Sequence, residues 1–238
     1  MHIEQEALPI CFHGQKIVNV DSKVISIEML SRINHEMWQN NIESFIESLS
    51  IRDKLSLTLE QITNAAKVYQ QLKIPVSINV DNTILTSPDC KNALLNHTQH
   101  ITYPVTLEFT ETYPMPPADD VNSFFFDLKK NTHIKIGLDD FGTGFNGMCV
   151  FADYDFDLVK IDRQMIMGIE KRPQKLRILE HIASLLRVLK KQHVIEGIEN
   201  KEQYEALKGV GFTTFQGFFF HKPEPIDNLD VSLSNDTK

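Results

Sequence analysis

The chain has 238 residues, 42% hydrophobic and 24% charged, with a formal net charge of −8 from 24 Lys plus Arg against 32 Asp plus Glu. That composition suits a globular protein with a sizeable core, and the length suits one large domain, such as a closed α/β barrel, or two small ones. No basic excess is available to neutralise a DNA or RNA backbone, although a small phosphorylated ligand stays open where bound cations reverse the local field.

Cys11, Cys90 and Cys149 lie far apart in no metal-ligand spacing, as reduced structural cysteines of a cytosolic protein would. There is no basic-then-apolar leader, and no run approaches the ~18 apolar residues of a membrane span. The expectation is a soluble, cytoplasmic protein with no membrane partner.

Along the chain, Ile10-Cys-Phe-His and Lys16-Ile-Val-Asn-Val are alternating segments separated by Gly14-Gln15, which predicts a short N-terminal hairpin or strand pair within residues 1–20. Residues 23–30 alternate again, with Ile25 and Ile27 on one face and Ser26 and Glu28 on the other. Phe45, Ile46 and Leu49 mark a short helix. Residues 56–73 carry a helical stripe of Leu59, Ile62, Ala66, Tyr69 and Leu72. Residues 76–81 read as a strand, and Ser87-Pro88 has the N-cap and first-turn residues of a helix. Residues 105–110 form the next strand, ending in Glu111, and Pro116-Pro117 introduces a helix through Phe124, Phe125 and Leu128. Ile134, Ile136 and Leu138 then alternate into the adjacent carboxylates Asp139 and Asp140. A strand over 157–162 follows, and Pro173 opens the longest helical stripe, from Leu176 to Leu189. His193 to Gly197 is a short strand, Asn200 caps a helix stopped by Gly209 and Gly211, and Thr213 to Phe219 is the last strand. The tail from Asn228 onward reads as loosely ordered.

Strand and helix alternate without a linker or composition break, which predicts parallel strands covered by helices. About eight strands in one domain favour a closed (β/α)8 TIM-like barrel over an open doubly wound sheet. One domain is expected over residues 1–238, with its core at about 15–225. In such a barrel the active site lies at the C-terminal ends of the strands. The inward sets there are Ser26/Glu28, Ser77/Asn79, Thr106/Glu108 and Leu158/Lys160/Asp162, joined by Asp139, Asp140, Glu196 and Gln216. Each is weak evidence alone. Together, so many carboxylates in one barrel mouth need compensating cations. Oxygen ligands without matching His or Cys point to magnesium or manganese, and adjacent aspartates suit two ions about 3.5–4 Å apart, a device for hydrolysing phosphate esters.

These residues resemble the EAL-domain phosphodiesterases that hydrolyse cyclic di-GMP. The likeness runs from about residue 15 to Pro223 and is carried by Leu138-Asp-Asp-Phe-Gly-Thr-Gly144, Val159-Lys-Ile-Asp-Arg163, Glu196-Gly-Ile-Glu199 and Gln216-Gly-Phe-Phe-Phe-His-Lys-Pro223, with Ile78-Asn79 and Leu107-Glu-Phe-Thr-Glu-Thr112. The signature triplet is Glu28-Met29-Leu30, with Met in place of a small residue, and Phe145-Asn146-Gly147 stands where the family often has serines. The resemblance implies that Glu28, Asn79, Glu108 and Asp139 hold one cation, and Asp139, Asp140 and Glu196 a second, both Mg or Mn. Lys160 would hydrogen-bond the attacking water and Glu196 assist proton removal. Arg32, Leu30 and Gln216 would contact the dinucleotide, Glu111 and Glu199 would anchor the loop after Asp140, and Asp162 would stand behind the ligands. The implied reaction opens cyclic di-GMP to linear 5′-pGpG in bacterial second-messenger signalling of the kind that governs biofilm and motility. The alternative is a weak or inactive member acting as a cyclic di-GMP receptor or protein-binding regulator. A stand-alone module that forms a homodimer near Met148, Cys149, Val150 and Phe151 is also expected.

Overall fold

A computed structural model describes residues 10–33, 41–110, 115–144 and 147–233. Its centre is an eight-stranded closed barrel of the TIM-like EAL type. The strands are β1 (Ile10–Asn19), β2 (Val24–Ile33), β3 (Val76–Val80), β4 (Val105–Thr110), β5 (Ile134–Phe141), β6 (Leu158–Ile161), β7 (Gln192–Ile195) and β8 (Thr214–Gln216). Each pair from β2–β3 to β7–β8 is parallel, while β1 closes the ring by pairing antiparallel with both β2 and β8. A two-residue β9 (Glu224–Pro225) adds to β1. Outside the ring lie α1 (Ile42–Ser48), α2 (Ile51–Leu72), α3 (Pro88–Thr98), α4 (Ala118–Lys129), α5 (Val150–Asp153), α6 (Arg163–Ile166), α7 (Pro173–Val188) and α8 (Lys201–Gly209).

Sequence chemistry accounts for most of these elements. Ser87 accepts the Cys90 N–H with Pro88 in the first turn of α3, and Asn200 accepts the Gln203 N–H at the start of α8, so both orphaned helix termini are satisfied as their residues predict. On β5, Ile134, Ile136 and Leu138 are buried against the helical layer. The alternate face of a strand then points inward, which is how Glu28, Glu108 and Lys160 reach the barrel centre. Phe125 of α4 packs on Phe109 of β4 and on Phe156 (centroids 5.1 and 5.5 Å), a layer of aromatic contacts that fixes α4 beside β4.

Three expectations about the bounds of elements need correction. The N-terminal segment is not a hairpin within residues 1–20: Ile10–Asn19 is one strand, and the hairpin joins it to β2 through a turn in which the Asn19 side chain accepts the Asp21 and Lys23 N–H groups. Gly14 sits mid-strand because a Cβ there would collide with Leu229 and press on Ile27; it permits close approach rather than a turn. Helix α2 starts at Ile51, capped by Ser50, and buries Leu57, Thr58, Gln61, Ile62, Ala65 and Val68, while Leu59, Ala66, Tyr69 and Leu72 flank that face. Strand β8 stops at Gln216, three residues before Phe219. Of the tail from Asn228, residues 234–238 lie outside the described residues; before them Leu229 is buried, and Asp230 accepts from the Lys16 ammonium at 2.9 Å. Of the cysteines, only Cys90 is buried; Cys11 and Cys149 are exposed.

Candidate metal centre

Consecutive strands deliver the site. Glu28 comes from β2, Asn79 from β3, Glu108 from β4, Asp139 and Asp140 from β5, Lys160 from β6, Gln216 from β8, and Glu196 follows β7. Two adjacent residues of a regular strand point to opposite faces, so Asp139 and Asp140 need a special backbone. Between β5 and β6 the pairing passes from Leu138↔Val159 to Phe141↔Ile161, three residues advancing against two. That one-residue bulge, with Asp140 at φ 59°, re-aims the second carboxylate, as bulges beside functional sites do. The Asp139 carboxylate accepts the Asp140 N–H at 3.0 Å, and the Thr110 hydroxyl donates to Asp140 Oδ2 at 3.0 Å.

At the centre is Lys160, fully buried. Its ammonium lies 3.0 Å from Glu28, 3.2 Å from Glu108, 3.1 Å from Asp139 and 2.7 Å from Glu196. Glu28 Oε1 also accepts from Asn79 at 3.2 Å, and Oε2 accepts from Gln216 at 2.6 Å. One ammonium faces five carboxylates, counting Asp140, and the electrostatics follow from that imbalance. Burial pushes Glu108 up to about 8 against the pull of Lys160, with Glu28 and Asp139 adding to the rise. Burial likewise pushes Asp139 up to about 6 and Glu196 well above the usual carboxylate range. Glu28 differs. Burial acts upward there too, but Lys160, Gln216 and Asn79 outweigh it and hold the carboxyl below its ordinary value. Burial acts downward on Lys160, yet Asp139, Glu108, Glu196 and Glu28 raise it well above the usual lysine range.

The donor set fits two hard divalent cations. Oxygens of Glu28, Glu108 and Asp139 lie within 4.8 Å of one another, as do those of Asp139, Asp140 and Glu196, so Asp139 belongs to both groups. Glu108 Oε1 is buried with no hydrogen-bond partner among the described residues, an acceptor that a cation would satisfy. With all five carboxylates ionised, as cation binding requires, they and the one ammonium carry a charge of −4, which two divalent ions would cancel.

Above the carboxylates opens a cavity of about 450 Å³ bordered by Leu30, Arg32, Ile42, Ile46, Arg163 and Phe218. Leu30 and Arg32 are half-buried, and the Arg32 guanidinium donates to the Ser31 carbonyl at 2.8 Å. Asp162 borders the same cavity while capping α6 through the Gln164 N–H. Glu199 stands at the rim, 3.6 Å from Arg163, and its N–H donates to Gln203. Glu111 lies outside the described residues. Sequence reasoning missed Gln15, which accepts from Gln216 at 3.1 Å. The signal was its place in a run that reads as one strand once Gly14 is not taken for a turn.

Residues 2–223 match the family described as the EAL domain. The probable cyclic di-GMP phosphodiesterase PdeG of Escherichia coli K12 is 32% identical over 163 residues, covering 67% of this chain and 32% of PdeG. The probable cyclic di-GMP phosphodiesterase PdeB of the same organism is 29% identical over 234 residues, covering 92% of this chain and 44% of PdeB. The chain thus spans less than half the length of these curated relatives. Klebsiella pneumoniae BlrP1 in complex with calcium and cy-diGMP superposes with a TM-score of 0.79 at 25% identity, over 94% of this chain and 58% of that one. Its manganese and cy-diGMP complex gives 0.76 at 26%, over 94% and 57%.

Proposed function

Because the chain belongs to the EAL-domain family of cyclic di-GMP phosphodiesterases, we propose that it hydrolyses cyclic di-GMP to linear 5′-pGpG with the help of two divalent cations, Mg or Mn. The observation that carries this reading is the sharing of Asp139 between two carboxylate triads packed around the Lys160 ammonium. Glu28, Asn79, Glu108 and Asp139 would hold one cation, and Asp139, Asp140 and Glu196 the other. Bound there, the pair would lower the pKa of water and neutralise phosphate oxygens during in-line attack. The binding of cy-diGMP with calcium or manganese by BlrP1 supports this choice of ligands.

The chain's own side chains would do the rest. Lys160, in contact with members of both triads, donates a hydrogen bond that orients the attacking water. Glu196, beside Lys160 and 17% exposed, faces the cavity and takes the proton. Arg32, Leu30 and Gln216 position the dinucleotide, Asp162 supports the mouth by ordering the start of α6, and Glu111 and Glu199 anchor the loop after Asp140. The substrate is a cytoplasmic messenger, and we place the protein in that compartment; among the described residues no helix is long and apolar enough to cross a membrane. Beside the Asp-Asp turn, Met148 and Cys149 are exposed while Val150 and Phe151 are buried, so the first two offer a contact for a homodimer. Sedimentation at assay concentration decides this: a monomer with full turnover removes the dimer.

The test is chromatography after incubation with cyclic di-GMP and Mg or Mn, with a chelator control. Metal-dependent pGpG, lost in Glu28→Ala and Lys160→Ala, is the expected result. Tight binding with the nucleotide left intact would instead make the chain a receptor.

A further inference from the structure

Behind Glu28 lies a chain of amides whose orientation can be assigned atom by atom. Gln15 lies opposite Glu28 in the β1–β2 register, and Ile17 lies opposite Gln216 in the β1–β8 register, so one strand reaches both. The Gln15 Nε2 donates to the His221 carbonyl at 3.0 Å. A carbonyl only accepts, so Gln15 must turn its Oε1 toward Gln216, 3.1 Å away. Gln216 must therefore offer Nε2, and the same nitrogen donates to Glu28 Oε2 at 2.6 Å. The carboxylate at one end and the carbonyl at the other enforce the same arrangement. The His221 end is itself held, by its own N–H to the Gly217 carbonyl at 3.0 Å and by the Lys16 N–H donating to Nδ1 at 3.3 Å.

We propose that Gln15 is a positioning residue that locks the Gln216 amide with its nitrogen toward Glu28, and so fixes the carboxylate that anchors the first cation. The terminal torsion of a glutamine is broad and two-fold. Without Gln15, the Gln216 nitrogen keeps its bond to Glu28 Oε2 but loses its second acceptor, so the amide plane swings about that single bond and holds the carboxylate less rigidly. Hydrogen-bond partners behind metal ligands typically change affinity by about 10- to 100-fold when removed. The cation half of this inference rests on the proposed function; the lock itself does not.

The test combines two readouts on the full chain. In side-chain amide NMR, with Gln216 assigned by the signal absent from Gln216→Leu, both Gln216 amide protons should exchange slowly in the wild type. One should become fast in Gln15→Met. By calorimetry, Mn²⁺ affinity in Gln15→Met should fall, by no more than the about 10- to 100-fold of a partner directly behind a ligand, and kcat should recover with excess Mn²⁺. The double variant Gln15→Met/Gln216→Leu should bind Mn²⁺ no more weakly than Gln216→Leu alone, because Gln15 acts only through Gln216. Wild-type Mn²⁺ affinity in a folded Gln15→Met, or losses that multiply in the double variant, would overturn the proposal. If Gln15→Met fails to fold, the wild-type spectrum decides, and fast exchange of both Gln216 protons sinks the lock. A wild type that binds no Mn²⁺ defeats the proposed function, while slow Gln216 exchange in that same sample still supports the lock.

Discussion

Lys160 is the residue on which the carboxylates depend. Its ammonium is within 3.2 Å of Glu28, Glu108, Asp139 and Glu196, and a buried ion cluster that loses one partner costs about 3–5 kcal/mol because the remaining charges stay buried. Lys160→Met keeps the stem's volume and removes the charge. The chelated variant should melt well below the wild type at pH 7.5, and magnesium should recover part of the difference by supplying positive charge to the same oxygens. Differential scanning calorimetry with and without magnesium measures both. A chelated Lys160→Met that melts with the wild type would show that the carboxylates are already neutralised by protons, and that the ammonium does not hold the cluster together.

At the scale of elements, the strand ends place the site, and the exit of β8 is the tightest of them. A Cβ on Gly217 would land on the Ile198 backbone, against its nitrogen, carbonyl carbon and oxygen, and backbone cannot step aside as a side-chain tip does. The Ile198 N–H donates to the Gln216 carbonyl and the Phe219 N–H to the Ile198 carbonyl, so relief must move Gln216 itself. Gly217→Ala should therefore destabilise by about 3 kcal/mol, the upper end of ordinary overpacking, and weaken cation binding as Gln216 leaves Glu28. Urea unfolding and Mn²⁺ calorimetry check the two effects, and a variant matching the wild type in both would mean that the β8 exit is pliable.

The elements also show which parts of the fold are readable from the chain. Period-2 strands such as Val76–Val80 and Val105–Thr110 appear where alternation places them, and with them Glu28, Glu108 and Lys160. Capping chemistry located α3 and α8. What stayed hidden depends on contacts distant in sequence. Gly14 reads as a turn until Leu229 is brought against it. The buried face of α2 includes Gln61, whose polar partner is supplied only by folding: it donates to the Ser31 hydroxyl, 30 residues away. The bulge that turns Asp139 and Asp140 together exists only as a mismatch between β5 and β6. Gln15 was obscured for the same reason, since its partners are 201 and 206 residues away in sequence.

For the molecule as a whole, the carboxylate cluster ties stability to pH and, with the proposed cations bound, to their concentration. Glu108 rises from an ordinary 4.5 to about 8 and Asp139 from 3.8 to about 6 on folding. A carboxyl raised in the folded state binds its proton more tightly there. Its contribution is thus complete below the unfolded pKa and is lost as pH climbs through the folded one. Glu28, held below its ordinary value, runs the other way but loses its contribution only under acid conditions, and Lys160, raised above 10.5, loses its contribution only at high pH. Between about pH 5 and 8.5 Glu108 and Asp139, with Glu196 acting in the same direction, therefore prevail, and the melting temperature of the chelated chain should fall steadily. The net charge of −8 adds general self-repulsion in the same direction, so a specific origin needs a control. Glu108→Gln keeps the shape and removes the titration; it should flatten much of the slope while leaving the surface charge alone. Magnesium held as proposed would compete with protons for the same oxygens, so its stabilising shift should be small at pH 5 and largest at pH 8.5. Thermal melts across that range, in chelator and in saturating magnesium, measure every part of this. A magnesium shift independent of pH, or a slope unchanged in Glu108→Gln, would place the cation and the proton at different sites and remove the metal centre from this barrel mouth.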